Sequence, residues 1–260
     1  MKGGIFMKRI AIITGASSGI GRDIARELAA RGIRIIISGR NRDALEALRN
    51  EIGRDRVKIF TADLADKNEC LKLYEFAKQY NVNILINNAG FGAFGRFTKT
   101  ELDRELEMID VNIKAVHILA KLFLRDFREK NRGYILNVAS SAGFMPGPYM
   151  SAYYSTKNYV VRLTEAICEE LRSEKSRVYV GAFCPGPVNT NFNNEAGVQF
   201  SLKGISSEYA AKCAVEGMFA RKHIIVPTLV MKAAVIGSGF VPPLLLARFT
   251  GHMQSKKGEV

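Results

Sequence analysis

The chain has 260 residues, enough for one α/β domain with a sizeable core. Hydrophobic residues make up 47% and charged residues 24%, a balance that excludes a disordered chain. The net charge of +13 admits an acidic partner, yet lysine and arginine are spread along the chain in no long run, which argues against a specific nucleic-acid partner.

The first residues, M-K-G-G-I-F-M-K-R, are basic but lack the apolar core of a signal peptide, and Met7 is as good a start as Met1. Ile10–Thr14 reads as a short buried strand, and Gly19 to Arg31 as a helix ended near Gly32. Strands follow at Ile33–Ser38, Val57–Thr61, Val82–Ile86, Tyr134–Val138, Val178–Phe183 and Ile224–Val226. Helices fall between them at Arg42–Ile52, Lys67–Tyr80, Glu101–Arg128, Ser151–Arg172 and Ser207–Ala220. Thr100 is the candidate cap of the long helix. Strands that alternate with amphipathic helices predict a Rossmann-like, doubly wound, seven-stranded parallel sheet with helices on both faces, in one domain over 1–260.

The turn after the first strand reads T-G-A-S-S-G-I-G, with Gly15, Gly19 and Gly21. Glycines at a turn that opens a helix let the backbone approach a pyrophosphate, which then rests on the helix N-terminus. The spacing is G-x-x-x-G-x-G rather than the more general G-x-G-x-x-G. At the end of the second strand, an acidic residue would bind the 2′-hydroxyl of NAD and repel a 2′-phosphate. This chain has Gly39 and then Arg40, with Arg42 nearby, so the expected cofactor is NADP(H). Asn41 is a candidate cap of the next helix.

Further on, Ser140 precedes Tyr153 by thirteen residues and Lys157 follows it by four. A helix from Ser151 puts Tyr153 and Lys157 on one face, one turn apart. An ammonium beside a phenol favours the phenolate and predicts a lowered tyrosine pKa. A serine hydroxyl arriving from the preceding strand can bind the oxygen that the tyrosine protonates. Tyr74-x-x-x-Lys78 repeats the spacing, but no serine precedes it at a strand end, and it reads as an ordinary helix pair with a solvated lysine.

These residues resemble the short-chain dehydrogenase/reductase family over Ile10 to about Pro227. The glycine turn matches the family's motif, which implies cofactor contacts by Gly15, Ser17, Ser18, Gly19, Ile20 and Gly21. Asp63-Leu64 matches its adenine-contacting pair, and Asn87–Gly90 its N-N-A-G, which implies contacts by Asn88, Ala89 and Gly90. P-G-P-V-N-T matches the segment at the nicotinamide end, which implies Pro185, Gly186, Val188 and Thr190. Asn112, Ser140, Tyr153 and Lys157 match the family's catalytic tetrad, with Ser141 an alternative to Ser140. The resemblance implies that Tyr153 and Lys157 also touch the cofactor, that Asn112 holds a relay water, and that hydride passes between NADP(H) and a carbonyl or alcohol. It also implies a homodimer or homotetramer through the helices at Glu101–Arg128 and Ser151–Arg172.

Loops after the fourth, fifth and sixth strands carry Phe91, Phe94 and Phe97; Phe144, Met145, Tyr149 and Met150; and Phe192, Val198, Phe200 and Leu202. That stock predicts a hydrophobic substrate. Arg96 and Lys203 form no evident anion clamp. A lid is expected around 191–220, with Asn191–Gly204 its mobile part. The apolar extension 224–260 contains Pro227, Pro242, Pro243, Gly237, Gly239 and Lys232, which argue against a membrane span. A pocket wall or subunit contact is the expected use, and a membrane-touching surface with Arg248, Lys256 and Lys257 the alternative. Four scattered cysteines without C-x-x-C and three isolated histidines predict no disulfide and no metal, and suit a cytoplasmic protein. Two other functions fit the same residues: a 3-ketoacyl-thioester reductase, and an NADP(H) sensor without turnover.

Overall fold

The computed structural model describes residues 9–192 and 204–255. Seven strands, β1 (Ile10–Thr14), β2 (Arg34–Gly39), β3 (Val57–Thr61), β4 (Ile84–Asn87), β5 (Tyr134–Val138), β6 (Tyr179–Phe183) and β9 (Ile224–Ile225), form one sheet. Its order is β3-β2-β1-β4-β5-β6-β9 and every pairing is parallel. Two short strands, β7 (Val188–Asn189) and β8 (Ile205–Ser206), pair separately.

Alternate residues along each strand feed opposite faces. Ala11 and Ile13 pack with Ala25 and Leu28 of α1 (Gly19–Ala30) and Leu45 and Leu48 of α2 (Arg42–Ile52). Ile10 and Ile12 pack with Leu73 of α3 (Lys67–Lys78) and Phe123 and Phe127 of α5 (Val116–Glu129). Strands buried on both faces explain the unbroken apolar runs in the sequence.

Between α4 (Leu102–Ile109) and α5, residues Asp110–Ala115 form a π-helical turn. The expected single long helix is therefore interrupted at the turn that carries Asn112. Glu101, not Thr100, holds its N-cap position; the Thr100 hydroxyl instead donates to Glu105 at 2.7 Å. Asn41 does cap α2, accepting from Ala44 N at 3.0 Å.

Helix α6 (Ser151–Ser173) carries Tyr153 and Lys157. A buried polar chain fastens it to the sheet. Asn87 Nδ2 donates to Asn137 Oδ1 at 2.9 Å, Asn137 Nδ2 donates to Thr164 Oγ1 at 2.9 Å, and Thr164 Oγ1 donates to Val160 O at 2.7 Å. One buried residue each from β4, β5 and α6 is thus held in register.

One expectation changes here. The lid does not extend to residue 220, because α7 (Ser207–Phe219) is core: Ala210, Ala211, Ala214, Val215 and Met218 are buried, and Ser207 hydrogen-bonds the buried Asp23 of α1. Val198, Phe200, Leu202 and Lys203 lie outside the described residues. The apolar extension forms two helices, α8 (Leu229–Ser238) and α9 (Pro243–Ser255). Thr228 caps α8, accepting from Met231 N at 3.3 Å, and Pro243 opens α9, where its missing N–H costs nothing.

Replacing Asn137 by Leu leaves Asn87 and Thr164 facing an apolar group. We expect a loss of about 1–3 kcal/mol in urea denaturation; an unchanged midpoint would mean that the chain does not hold α6.

Candidate active site

A cleft of about 1320 Å³ runs along the carboxyl edge of the sheet. It opens where strand order reverses, between β1 and β4. Asn88 wedges those strands apart: its Nδ2 donates to Thr14 O at 2.9 Å and Gly15 O at 3.1 Å. Thr14 Oγ1 accepts from the Asn88 and Ala89 amides, both at 3.0 Å.

The glycine turn crosses this wedge. Gly15 has φ +65°, and a Cβ there would sit 2.8 Å from Ala89 Cα. Gly19 has φ +53° and lies against Thr190. Ser18, at the N-cap of α1, makes no capping bond with its side chain, and no acidic residue stands in the first turn. The amides that open α1 thus face the cleft without a built-in acceptor or a repelling carboxylate, which fits a bound phosphate.

At the far end of β5, Ser140 Oγ accepts from Ala142 N at 3.1 Å. Its hydroxyl also meets the Tyr153 phenol. Lys157 Nζ donates to Val138 O at 3.0 Å and stands 5.8 Å from the Tyr153 ring centroid. Both side chains are almost wholly buried. Burial raises the Tyr153 pKa, and the Ser140 hydrogen bond opposes that only in part. Burial pushes Lys157 down to about 8. The expected acidification of Tyr153 by Lys157 is thus not what the chain alone produces. Taking the phenol out of water outweighs its neighbours, and the ammonium is itself pressed toward its neutral form.

The site residues expected from sequence converge here. Gly15, Ser17, Ser18, Gly19, Ile20, Arg40, Asp63, Leu64, Asn88, Ala89, Gly90, Ser140, Tyr153, Lys157, Pro185, Gly186, Val188 and Thr190 all line the cleft. Gly21 does not: a Cβ there would collide with Gly15 O and the Asn88 amide, so its job is close packing of α1 on the wedge. Asn112 is also outside the lining. It is fully buried, accepts from Phe91 N at 3.1 Å and donates to Phe91 O at 2.9 Å and Thr156 Oγ1 at 3.1 Å. Arg40 Nη1 donates to Glu107 Oε1 at 2.9 Å, and Glu107 Oε2 accepts from Arg104 at 3.0 Å. The decoy pair is separate: Tyr74 donates to Asp126 at 2.9 Å, and Lys78 is exposed.

The chain matches the family model described as short chain dehydrogenase over residues 9–199. It belongs to the short-chain dehydrogenase family. An uncharacterized oxidoreductase of Staphylococcus aureus is 35% identical over 188 residues, covering 72% of this chain and 80% of the relative. A short-chain dehydrogenase from Sphingobium yanoikuyae, solved with NADPH, superposes with a TM-score of 0.81 at 28% identity, over 89% of this chain and 94% of that one. A family member from Burkholderia phymatum, solved with NAD, shares the fold at 24% identity with a TM-score of 0.81, over 89% and 92% of the two chains. This short-chain dehydrogenase belongs with oxidoreductases.

The cleft has further lining residues, most of them in the C-terminal stretch that the sequence reading took as a pocket wall or subunit contact. Of the expected aromatics and methionines, Phe91, Met145, Met150 and Phe192 line the cleft. Phe94 instead packs on Tyr149, and Phe97 is exposed. Tyr154, Met231, Ala234, Leu246, Met253 and Gln254 complete the wall. Gln254 Nε2 donates to Tyr154 Oη at 2.5 Å, tying α9 to α6. The cap at Thr228 and the helix-opening Pro243 were the signals that would have revealed α8 and α9.

Because the folded pKa of Lys157 is depressed, the unfolded chain holds more protons between about pH 8 and the ordinary lysine value of 10.5. Stability from this group therefore rises with pH across that window. Below it, the buried ammonium costs roughly 3 kcal/mol. We expect the stability of wild type relative to Lys157→Met to climb from pH 8 to 10.5 in urea titrations, and a flat difference would show that the ammonium is not desolvated.

Proposed function

We propose that this chain is an NADP(H)-dependent carbonyl reductase or alcohol dehydrogenase acting on a hydrophobic substrate. The observation that carries this reading is the Tyr153 phenol: kept protonated by burial, it meets Ser140 on the wall of a largely apolar cleft. When bound, the cofactor supplies hydride to, or accepts it from, the substrate carbon. In reduction, Tyr153 gives its proton to the carbonyl oxygen as negative charge develops there. Ser140 donates a hydrogen bond to the same oxygen. Lys157 binds the nicotinamide ribose and steadies the phenolate left behind.

Asn112 acts behind this pair. It clamps the Phe91 backbone, and the missing side chain of Gly90 leaves room beside Asn112 Oδ1 and Lys157 Nζ. A relay water held by Asn112 follows from the family resemblance. The glycine turn and the start of α1 would hold the pyrophosphate, Asp63 and Leu64 the adenine, and Pro185 to Thr190 the nicotinamide end.

NADP(H) preference rests on Arg40, which sits at the end of β2 and lines the cleft. Its guanidinium is exposed and pairs with Glu107, so a 2′-phosphate can compete for it. Subunits would associate through α4 and α6, where Leu102, Leu106, Ile109 and Tyr159 stand exposed.

Replacing Tyr153 by Phe should lower kcat by about 10²–10⁴-fold while leaving NADPH affinity unchanged. Retained turnover would remove the phenol from the chemistry. Absorbance of NADPH across ketones, quinones, steroids and acyl thioesters is the assay, and it separates a simple ketone from a β-ketoacyl thioester.

Replacing Arg40 by Asp should shift the ratio of NADPH to NADH dissociation constants by at least about tenfold toward NADH. An unchanged ratio in fluorescence titrations would place the 2′-phosphate elsewhere.

A further inference from the structure

Helices α8 and α9 have their polarity reversed for helices in water. A surface helix ordinarily buries its apolar side and shows its polar one. Here the buried residue of α8 is Ser238, and those of α9 are Thr250 and Gln254. Thr250 and Gln254 turn their polar groups to the body of the protein, Thr250 donating to Pro146 O at 2.8 Å and Gln254 to Tyr154 at 2.5 Å, while the Ser238 hydroxyl donates to Val235 O of its own helix at 2.7 Å and lies 3.4 Å from Phe144 O. The outward side carries Leu229, Val230, Ile236, Phe240, Leu244 and Phe249, which are 81%, 78%, 66%, 85%, 82% and 65% exposed. Large apolar side chains gathered in this way mark a surface that meets something apolar.

The charge around them states what that partner is. From Gly217 to Gly258 the sequence contains no aspartate or glutamate, so Lys232 on α8 and Arg248 on α9 meet no carboxylate from their own stretch of chain. Lys232 and Arg248 are exposed beside the apolar side chains. We propose that α8 and α9 seat the protein on an anionic lipid surface. The two helices lie in the interface plane, the Phe240 turn dips into the acyl boundary, and the cations meet headgroup phosphates. No described helix is long and apolar enough to cross a membrane, so the contact is to one leaflet. A second copy of the chain fits less well. A twofold contact would set this patch against itself, bringing cations together with no carboxylate to answer them.

Val230, Leu245 and Phe249 belong to both the exposed surface and the cleft lining. A lipophilic substrate would therefore enter directly from the bilayer. That consequence rests on the function proposed above; the lipid contact does not.

The test uses the purified full chain, sedimented with vesicles of phosphatidylcholine alone or with about one-third phosphatidylglycerol. Binding to the anionic vesicles should exceed binding to the neutral ones by at least about tenfold and weaken as salt is raised. The double variant Phe240→Ser with Leu244→Ser should lose about tenfold in vesicle binding at unchanged NADPH affinity, which certifies its fold. Lys232→Glu should weaken anionic binding by at least about fivefold. No binding by wild type overturns the proposal, as does equal binding by the serine variant. A serine variant that instead turns a larger species into a smaller one in sedimentation velocity, with no vesicle binding by wild type, overturns it in favour of a second copy. None of these readouts uses turnover, so a failed reductase assay leaves them intact.

Discussion

A lysine ammonium held out of water by one carbonyl, Lys157 on Val138 at 3.0 Å, is the constraint on which the site depends. It fixes the first turns of α6 to the end of β5. Tyr153, one turn earlier, is thereby delivered to Ser140 at the same sheet edge. Desolvation presses both groups toward their neutral forms. A neutral phenol is a proton donor. The fold sustains a costly buried amine at the place where its charge is useful.

The other half of the cleft is shaped by what is missing. Gly15, Gly19 and Gly90 leave space where backbone or amine must approach, and only Gly15 and Gly19 also need the left-handed conformation. Asn88 takes up part of the gap with hydrogen bonds to β1 and its turn, which keeps the diverging strands apart at the switch point. Arg40, on the cleft wall, is paired with Glu107 at 2.9 Å.

One end of the cleft is walled by α8 and α9, which reach the body through the packing of Met231 and the hydrogen bonds of Thr250 and Gln254. This end of the molecule has its own character, with large apolar side chains turned outward and no carboxylate from Gly217 to Gly258.

Much of this was legible in the sequence. The strands and helices of the body were readable within a few residues, because each strand is a short apolar run and each helix an amphipathic one. The edges moved where caps decided them, as when Glu101 rather than Thr100 opened α4. The π-helical turn at Asn112 left no periodic trace. Helices α8 and α9 were hidden because their apolar residues point outward, so no buried stripe appears and their glycines and prolines read as breakers. The sequence by itself determined the parallel α/β alternation, the glycine turn and the Tyr153–Lys157 spacing, since these are local patterns along the chain. Only the tertiary structure decided the sign of the Tyr153 shift, the retreat of Gly21 and Asn112 behind the wall, and the core role of α7. Those outcomes depend on which groups water can reach, and that is set by residues far away in the chain.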